Sequence, residues 1–365
     1  MENKDLYQAK IFYNRLQKKY KELRKWARKN RITCYRLYDG DIPEVPLSLD
    51  MYEFLPEEID SKIECARFLS EQNARYSSND PSVEKENAIR RYFVLYLYER
   101  PYEKAEEDEQ QWLDLMAETV AQFFNVPITH ILRKERRKQK GESQYEKAED
   151  NFVIKGFVQE QGQLFKVDLT SYIDTGLFFD HRPLRYLVRE SSSGKSVLNL
   201  FCYTGSFSVY AAEGNAKSVE SVDLSNTYLN WAKDNLALNG FTDSKKYIFT
   251  KGDVIKFLQE KIQSNDTKYD LIILDPPTFS NSKMSLNMLD INKQWHELVN
   301  NCLKLLNPKG VLYFSTNSRR LVFDSSLVLS EICENSVKIS DVSEESIPLD
   351  FKGTKIHRCW KLQLS

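Results

Sequence analysis

From about Ser171 onward the chain keeps a fixed rhythm. "KSVLNLF", "KSVESVD", "KKYIFT", "YDLIILD" and "GVLYFST" are short apolar, β-branched runs, and each of the first four is followed by a stretch of helical period. Strands that alternate with helices need crossover connections, and crossovers are right-handed. The pattern therefore predicts a mostly parallel, doubly wound α/β sheet over residues 171–365. Glycine usage agrees: of 12 glycines, seven (176, 194, 205, 214, 240, 252 and 310) fall between residues 176 and 310, where tight strand-to-helix turns exclude a Cβ.

Residues 1–170 read differently, as a smaller α+β domain. Phe12, Leu16, Tyr20, Leu23 and Trp26 recur three or four apart between Tyr7 and Lys29, which marks one face of a helix with Lys and Arg elsewhere. "CYRLYDGDIPEVPLSLDMYEFL" alternates around a "YDGD" turn and predicts strands, and "RRYFVLYLYER" predicts another. Residues 108–124 have helical period through Trp112, Met116, Val120 and Phe123. "THILRKERR" is expected as a strand entering a basic loop, and residues 152–169 as a hairpin. The polar stretch 56–87 is expected as an extended surface insertion, with helix only around Ile59–Leu69.

Composition excludes several classes. A length of 365 residues with 41% hydrophobic content supports two packed cores. No run approaches 18 uncharged apolar residues and the first ten lack an apolar signal core, so a cytoplasmic protein with no membrane partner is expected. Six scattered cysteines and four histidines (130, 181, 296, 357) show no ligand spacing, so neither disulfides nor a metal is expected. The net charge of −1 hides an uneven distribution. Residues 1–40 carry 12 Lys/Arg against 4 Asp/Glu, and "ILRKERRKQK" (131–140) carries six basic residues against one acid. Lys25, Arg28, Arg133, Arg136, Arg137 and Lys138 are thereby candidate contacts to an anionic partner, nucleic acid above all.

The chemistry is expected at the carboxyl ends of the parallel strands, where a doubly wound fold binds its ligand. "VLNLFCYTGSFSVYAAEGNAKSVESVD" (197–223) reads as strand, turn, helix and second strand. Its turn holds Thr204-Gly205-Ser206, and the second strand ends in Asp223, 18 residues after Gly205. An acid so placed can accept from both hydroxyls of a ribose. A nicotinamide dinucleotide would want G-x-G-x-x-G for its pyrophosphate, whereas one glycine stands here. That suits a nucleoside without phosphate, such as S-adenosylmethionine (SAM). Asp253, just past the third strand, can accept from the adenine amino group or cap the next helix. "LDPPTFSNSKM" (274–284) ends the fourth strand abruptly, because proline has no N–H to donate. Asp275 and Pro276 then face the cleft, and Pro277 and Phe279 are placed to stack on a planar acceptor, as in enzymes that methylate base nitrogens.

"YIDTGLFFDHR", "VLNLFCYTGSFSV", "DLIILDPPTFSNSKM" and "IHRCWKL" resemble a bacterial family of class I SAM-dependent methyltransferases that act on large-subunit (23S) ribosomal RNA. The likeness is greatest to the C-terminal, guanine-N7-modifying half of its bifunctional members, and covers nearly the whole chain apart from the 56–87 insertion. It implies a seven-stranded, Rossmann-like methyltransferase domain behind an RNA-binding domain, acting without the other catalytic half. It also implies that Asp174, Phe178, Asp180 and Arg182 wall the cofactor site. Phe201, Tyr203, Thr204, Gly205 and Ser206 would surround the methionine moiety, with Asp223 and Leu224 at the ribose, Asp253 and Val254 at the adenine, and Asp275 at the sulfonium. Ribosomal RNA, free or in a large-subunit precursor, is the implied partner.

Guanine N7 loses no proton on methylation, so positioning suffices. No histidine lies near the "DPPT" turn in sequence, and Thr278 stands where amino-group methylation would favour a different turn. Pyrimidine C5 methylation needs a cysteine nucleophile, yet Ser315-Thr316-Asn317-Ser318 follows the fifth strand, and Cys302 is expected in the core. Guanine N2, cytosine C5, a non-catalytic SAM- and RNA-binding assembly factor, and a nicotinamide oxidoreductase are the competing expectations.

Overall fold

A computed structural model describes residues 3–98, 105–135, 153–280, 289–328 and 337–365. It divides into two compact units, Met1–Thr175 and Gly176–Ser365.

In the first unit, helix α1 (Asn3–Lys29) buries Phe12, Leu16, Leu23 and Ala27 along one stripe and leaves its cations on the other faces. Strands β1 (Cys34–Asp39) and β2 (Leu47–Glu53) follow as an antiparallel pair. Residues 56–87 are more helical than expected: they hold helices α2 (Lys62–Ser77) and, from Ser82, α3 (Ser82–Arg90). Few apolar residues mark them, because much of what they bury is polar or small, namely Cys65, Gln72, Val83 and Asn87. The Ser61 hydroxyl caps α2 by accepting from Glu64 N at 3.3 Å. Strand β3 (Arg91–Leu97), helix α4 (Glu106–Phe124) and strand β4 (Ile131–Glu135) complete a four-stranded sheet of order β1-β2-β3-β4. Trp112 on α4 donates to the buried Gln8 of α1 at 2.7 Å. The expected hairpin is present as β5 (Lys155–Glu160) and β6 (Gln163–Asp168).

The second unit opens with α5 (Arg182–Ser191). It then alternates β7 (Ser196–Leu200), α6 (Ser206–Glu213), β8 (Ser218–Asp223), α7 (Asn226–Leu238), β9 (Tyr247–Lys251), α8 (Val254–Ser264) and β10 (Tyr269–Leu274). A two-residue pair, β11 (Phe279–Ser280) and β12 (Leu289–Asp290), precedes α9 (Ile291–Lys304) and β13 (Leu306–Thr316). β14 (Val337–Asp341), α10 (Ser343–Ser346) and β15 (Arg358–Leu364) end the chain. The sheet order is β14-β15-β13-β10-β7-β8-β9, with β15 antiparallel to both neighbours and the five central and far strands parallel.

The apolar runs are continuous because both sheet faces are covered. Leu198, Leu200, Ile272 and Leu274 point to one side, against Phe257, Leu258, Trp295 and Leu298 of α8 and α9. Val197, Leu271 and Ile273 point to the other, against Leu184 and Val188 of α5 and Phe207 and Ala211 of α6. The chain order reverses between β7 and β10, so the crevice falls at their carboxyl ends.

Candidate cofactor and acceptor site

The turn after β7 is shaped by its own backbone. Phe201, Tyr203 and Gly205 all take left-handed conformations, with φ of 53°, 50° and 74°. A Cβ on Gly205 would lie 2.7 Å from the Ala232 Cβ of α7, so glycine is demanded by helix packing as well as by φ. Thr204 is fully buried; its hydroxyl donates to Gly176 O at 2.6 Å, while its carbonyl accepts from Asn235 Nδ2 at 2.9 Å. Gly176 has φ 99° and would place a Cβ 2.3 Å from the Trp231 ring. Ser206 starts α6 beside this turn.

Asp223 leaves the end of β8 half-buried. Its Oδ2 accepts from Tyr203 N at 3.0 Å and its Oδ1 from Ser225 N at 2.9 Å, which ties it to the β7 turn. Burial raises its carboxyl above the ordinary range despite these backbone bonds. Asp253 is the N-cap of α8, with Ile255 N at 2.9 Å and Lys256 N at 3.2 Å both on Oδ1. The capping reading of Asp253 is thus realised, and Oδ2 takes no part in it. Val254 is buried in the core cluster, and Leu224 is half-buried beside Asp223. Phe178 is 43% exposed, with its ring 5.3 Å from Tyr203, whose ring meets Tyr228 edge-on at 4.6 Å. Asp174 falls in the first unit.

At the end of β10, Asp275 is held by groups distant in sequence. The Ser315 hydroxyl on β13 donates to Oδ1, and His181 Nε2 lies 3.3 Å from Oδ2. His181 Nε2 also faces Asp180 Oδ2 at 3.7 Å, and both neighbours are carboxylates, so the ring carries its proton on Nε2. Asp180 accepts from His357 Nδ1 at 2.9 Å, which leaves His357 Nε2 to accept from the Ser346 hydroxyl at 2.8 Å. The two imidazoles stack 4.5 Å apart, 12° from parallel. His181 Nδ1 is buried without a hydrogen-bond partner among the described residues.

Burial lowers the His181 pKa, against the pull of Asp275 and Asp180. Burial alone would raise the Asp180 carboxyl, but the pull of His181, the hydrogen bond from His357 and the nearby Arg185 outweigh it and hold the group low. Asp180, His181 and His357 come within 4.8 Å of one another, a grouping invisible in the histidine spacing. Ring nitrogens donate in the ring plane, and parallel stacked rings cannot converge their lone pairs on one ion. Ser346, His357 and Asp180 form a hydrogen-bonded relay, and His181 stacks on it with Nε2 facing Asp275.

Asp180, expected at the cofactor wall, is part of the relay. Arg182, expected there too, is buried and ion-paired to Asp350 at 2.8 Å, which anchors α5 to the Leu349–Phe351 turn. A histidine does stand at the "DPP" turn, brought there by the fold. Cys302 is fully buried, as expected. Pro276 is buried and Pro277 exposed, and the Thr278 hydroxyl donates to Asn317 Oδ1 at 2.6 Å. The Phe279 backbone pairs with Asp290, while its side chain lies outside the described residues. In the first unit Lys25 is exposed and Arg28 half-buried, Arg133 is ion-paired to Asp114, and Arg136, Arg137 and Lys138 lie outside the described residues.

A seven-stranded sheet with its penultimate position filled by an antiparallel last strand, and acids at the ends of successive parallel strands, defines a Rossmann-like methyltransferase. Residues 97–353 match the S-adenosylmethionine-dependent methyltransferase family, and the chain belongs to it; SAM is its cofactor. It is 40% identical over 355 residues to ribosomal RNA large subunit methyltransferase K of Neisseria meningitidis, covering 96% of this chain and 86% of that protein. It is 38% identical over 358 residues to methyltransferase K/L of Cellvibrio japonicus, covering 97% of this chain but 42% of that one. Among solved structures, a SAM-dependent methyltransferase from Streptococcus mutans shares the fold at TM-score 0.66 and 19% identity, over 97% of this chain and 81% of that one.

Proposed function

We propose that the chain methylates a base of large-subunit ribosomal RNA, guanine at N7, by direct in-line transfer from SAM without a covalent enzyme–RNA intermediate. The RNA class rests on the two curated relatives, whose names carry it. The ring position rests on one observation: the ionisable groups at the "DPP" turn are committed to each other. Ser315 and His181 take both oxygens of Asp275, and the remaining nitrogen of His181 is buried. Neither group stands free to remove a proton, and N7 has none to lose.

The residues present fit the cofactor. Asp253 caps α8 through one oxygen, which leaves Oδ2 to accept from the adenine amino group. Asp223, set by two backbone N–H groups, can receive the ribose hydroxyls beside Leu224. The left-handed turn Phe201–Gly205, with Ser206, would follow the methionine moiety, and Phe178 and Tyr203 offer an aromatic wall. When bound, SAM supplies an already activated methyl group. Asp275 and Pro276 would line its sulfonium side, with Pro277 and Phe279 gripping the flipped base. Lys25, Arg28, Arg133 and the 136–138 run would hold RNA phosphates.

The test is methylation of ribosomal RNA from a strain lacking this protein, with labelled SAM and nucleoside analysis. The expected product is 7-methylguanosine. Labelled 5-methylcytidine or N2-methylguanosine would overturn the N7 position, and unlabelled RNA with intact SAM binding would indicate an assembly factor.

A further inference from the structure

The C-terminal ends of α1 and α2 enclose an open groove of about 370 Å³ within the first unit, lined by Lys25, Arg28, Lys29, Asn73, Tyr76 and Ser77. Its three cations face no carboxylate on the lining, and none of them is ion-paired among the described residues. The neighbouring cations of α2 are treated differently: Arg75 is bound by Asp80 and Glu86 at 2.9 and 2.7 Å, and Arg67 by Glu71 at 3.2 Å. The groove thus gathers three cations without an ion pair on one lining.

Arg28 is also prearranged. Its guanidinium lies 4.2 Å over the Tyr76 ring, and the Tyr76 hydroxyl accepts from Asn87 Nδ2 at 2.7 Å. Asn87 is buried and its Oδ1 accepts from Arg90, so α3 fixes the ring that supports the guanidinium. Its Nε donates to Arg24 O at 3.4 Å, and the stacked guanidinium keeps its two terminal amino groups at the edge, which matches a phosphodiester.

We propose that this groove is a binding track for the phosphodiester backbone of single-stranded RNA, with Arg28 as the bidentate contact, Lys25 and Lys29 flanking it, and α2 as the wall that orients Arg28. The inference rests on the RNA reading above and assigns a role to residues 62–90, whose polarity alone gives none. Charge complementarity carries it, since three cations without an ion pair, with the neutral amide donor of Asn73 beside them, suit successive phosphates better than an acidic protein surface of fixed shape.

The experiment is fluorescence anisotropy of the full chain with a labelled single-stranded RNA, repeated over a series of salt concentrations. Replacing Lys25, Arg28 and Lys29 together by alanine should weaken binding at low salt about 30-fold and flatten the log K against log salt slope by about 2. Tyr76→Ala should weaken binding about threefold, and Tyr76→Phe should recover most of that loss, because the ring is what supports Arg28. An equal charge loss at exposed Lys217, Lys245 and Lys309 of the second unit should leave affinity and slope unchanged. The groove assignment is overturned if the wild type binds RNA while the triple variant keeps its affinity within twofold, or if the control triple loses as much. A wild type that neither binds nor methylates RNA overturns the RNA reading itself and the groove with it.

Discussion

The turn after β7 takes its shape from its own backbone, with Phe201, Tyr203 and Gly205 left-handed and α7 pressed against Gly205. The turn after β10 takes its shape from two prolines and from side chains delivered by other elements, His181 ahead of α5 and Ser315 on β13. Both edges serve one crevice, yet the first is built for steric fit and the second for charge placement. The lesson is that substitutions at the first should cost folding or cofactor affinity, whereas substitutions at the second should cost turnover.

Gly205→Ala should give the largest effect. A Cβ 2.7 Å from Ala232 at φ 74° is both crowded and strained, and should cost about 3 kcal/mol of stability in chemical denaturation. A loss near zero would show that α7 yields easily, and the steric account of this turn would fall. Asp223→Ala should come next, weakening SAM binding in calorimetry about 100-fold through loss of charge-assisted hydrogen bonds.

At the second turn, His181→Ala should lower kcat about tenfold with a smaller change in cofactor affinity. His181→Gln, which retains a donor toward Asp275, should restore most of it. Equal losses in both variants would mean that the imidazole fills space and does not orient Asp275. Ser315→Ala should be mildest, about threefold in kcat, since one hydrogen bond to a carboxylate already held by His181 is removed.

The pair also differs in its response to acid. Burial holds the His181 pKa below its ordinary value of 6.5, so between the two values the unfolded chain binds a proton that the folded chain does not. Stability from this group is therefore complete above about pH 6.5 and declines as pH falls below it. Thermal unfolding followed from about pH 7.5 down to about pH 5 should show the decline, and His181→Gln should flatten it. An unchanged slope in that variant would place the responsible group elsewhere.

The contrast also explains what could be read from residue order. Strand–helix alternation, Gly205 and Asp223 are local signals whose meaning lies within some 18 residues, and they sufficed for the sheet and for the acids at its edge. The relay has no such signal: Asp180 and His357 meet across 177 positions, and a spacing rule for histidines cannot see them. The role of Asp253 as a cap was legible because capping is a nearest-neighbour effect. The full helical content of residues 56–87 is not legible because α2 and α3 bury Gln72 and Asn87, side chains that read as surface.

The position of β15 has a consequence for biosynthesis. This strand comes last in the second unit but sits inside the sheet, between β13 and β14, and His357 immediately precedes it. The N-terminal β7–β8 edge can close while translation continues, since its partners are already made. Asp180 and His181 cannot meet His357 until residues 357–364 have left the ribosomal tunnel and slotted between strands already formed. Assembly of the Asp180–His181–His357 cluster thus waits for residues 357–364, an ordering that ribosome-nascent-chain complexes of increasing length would reveal.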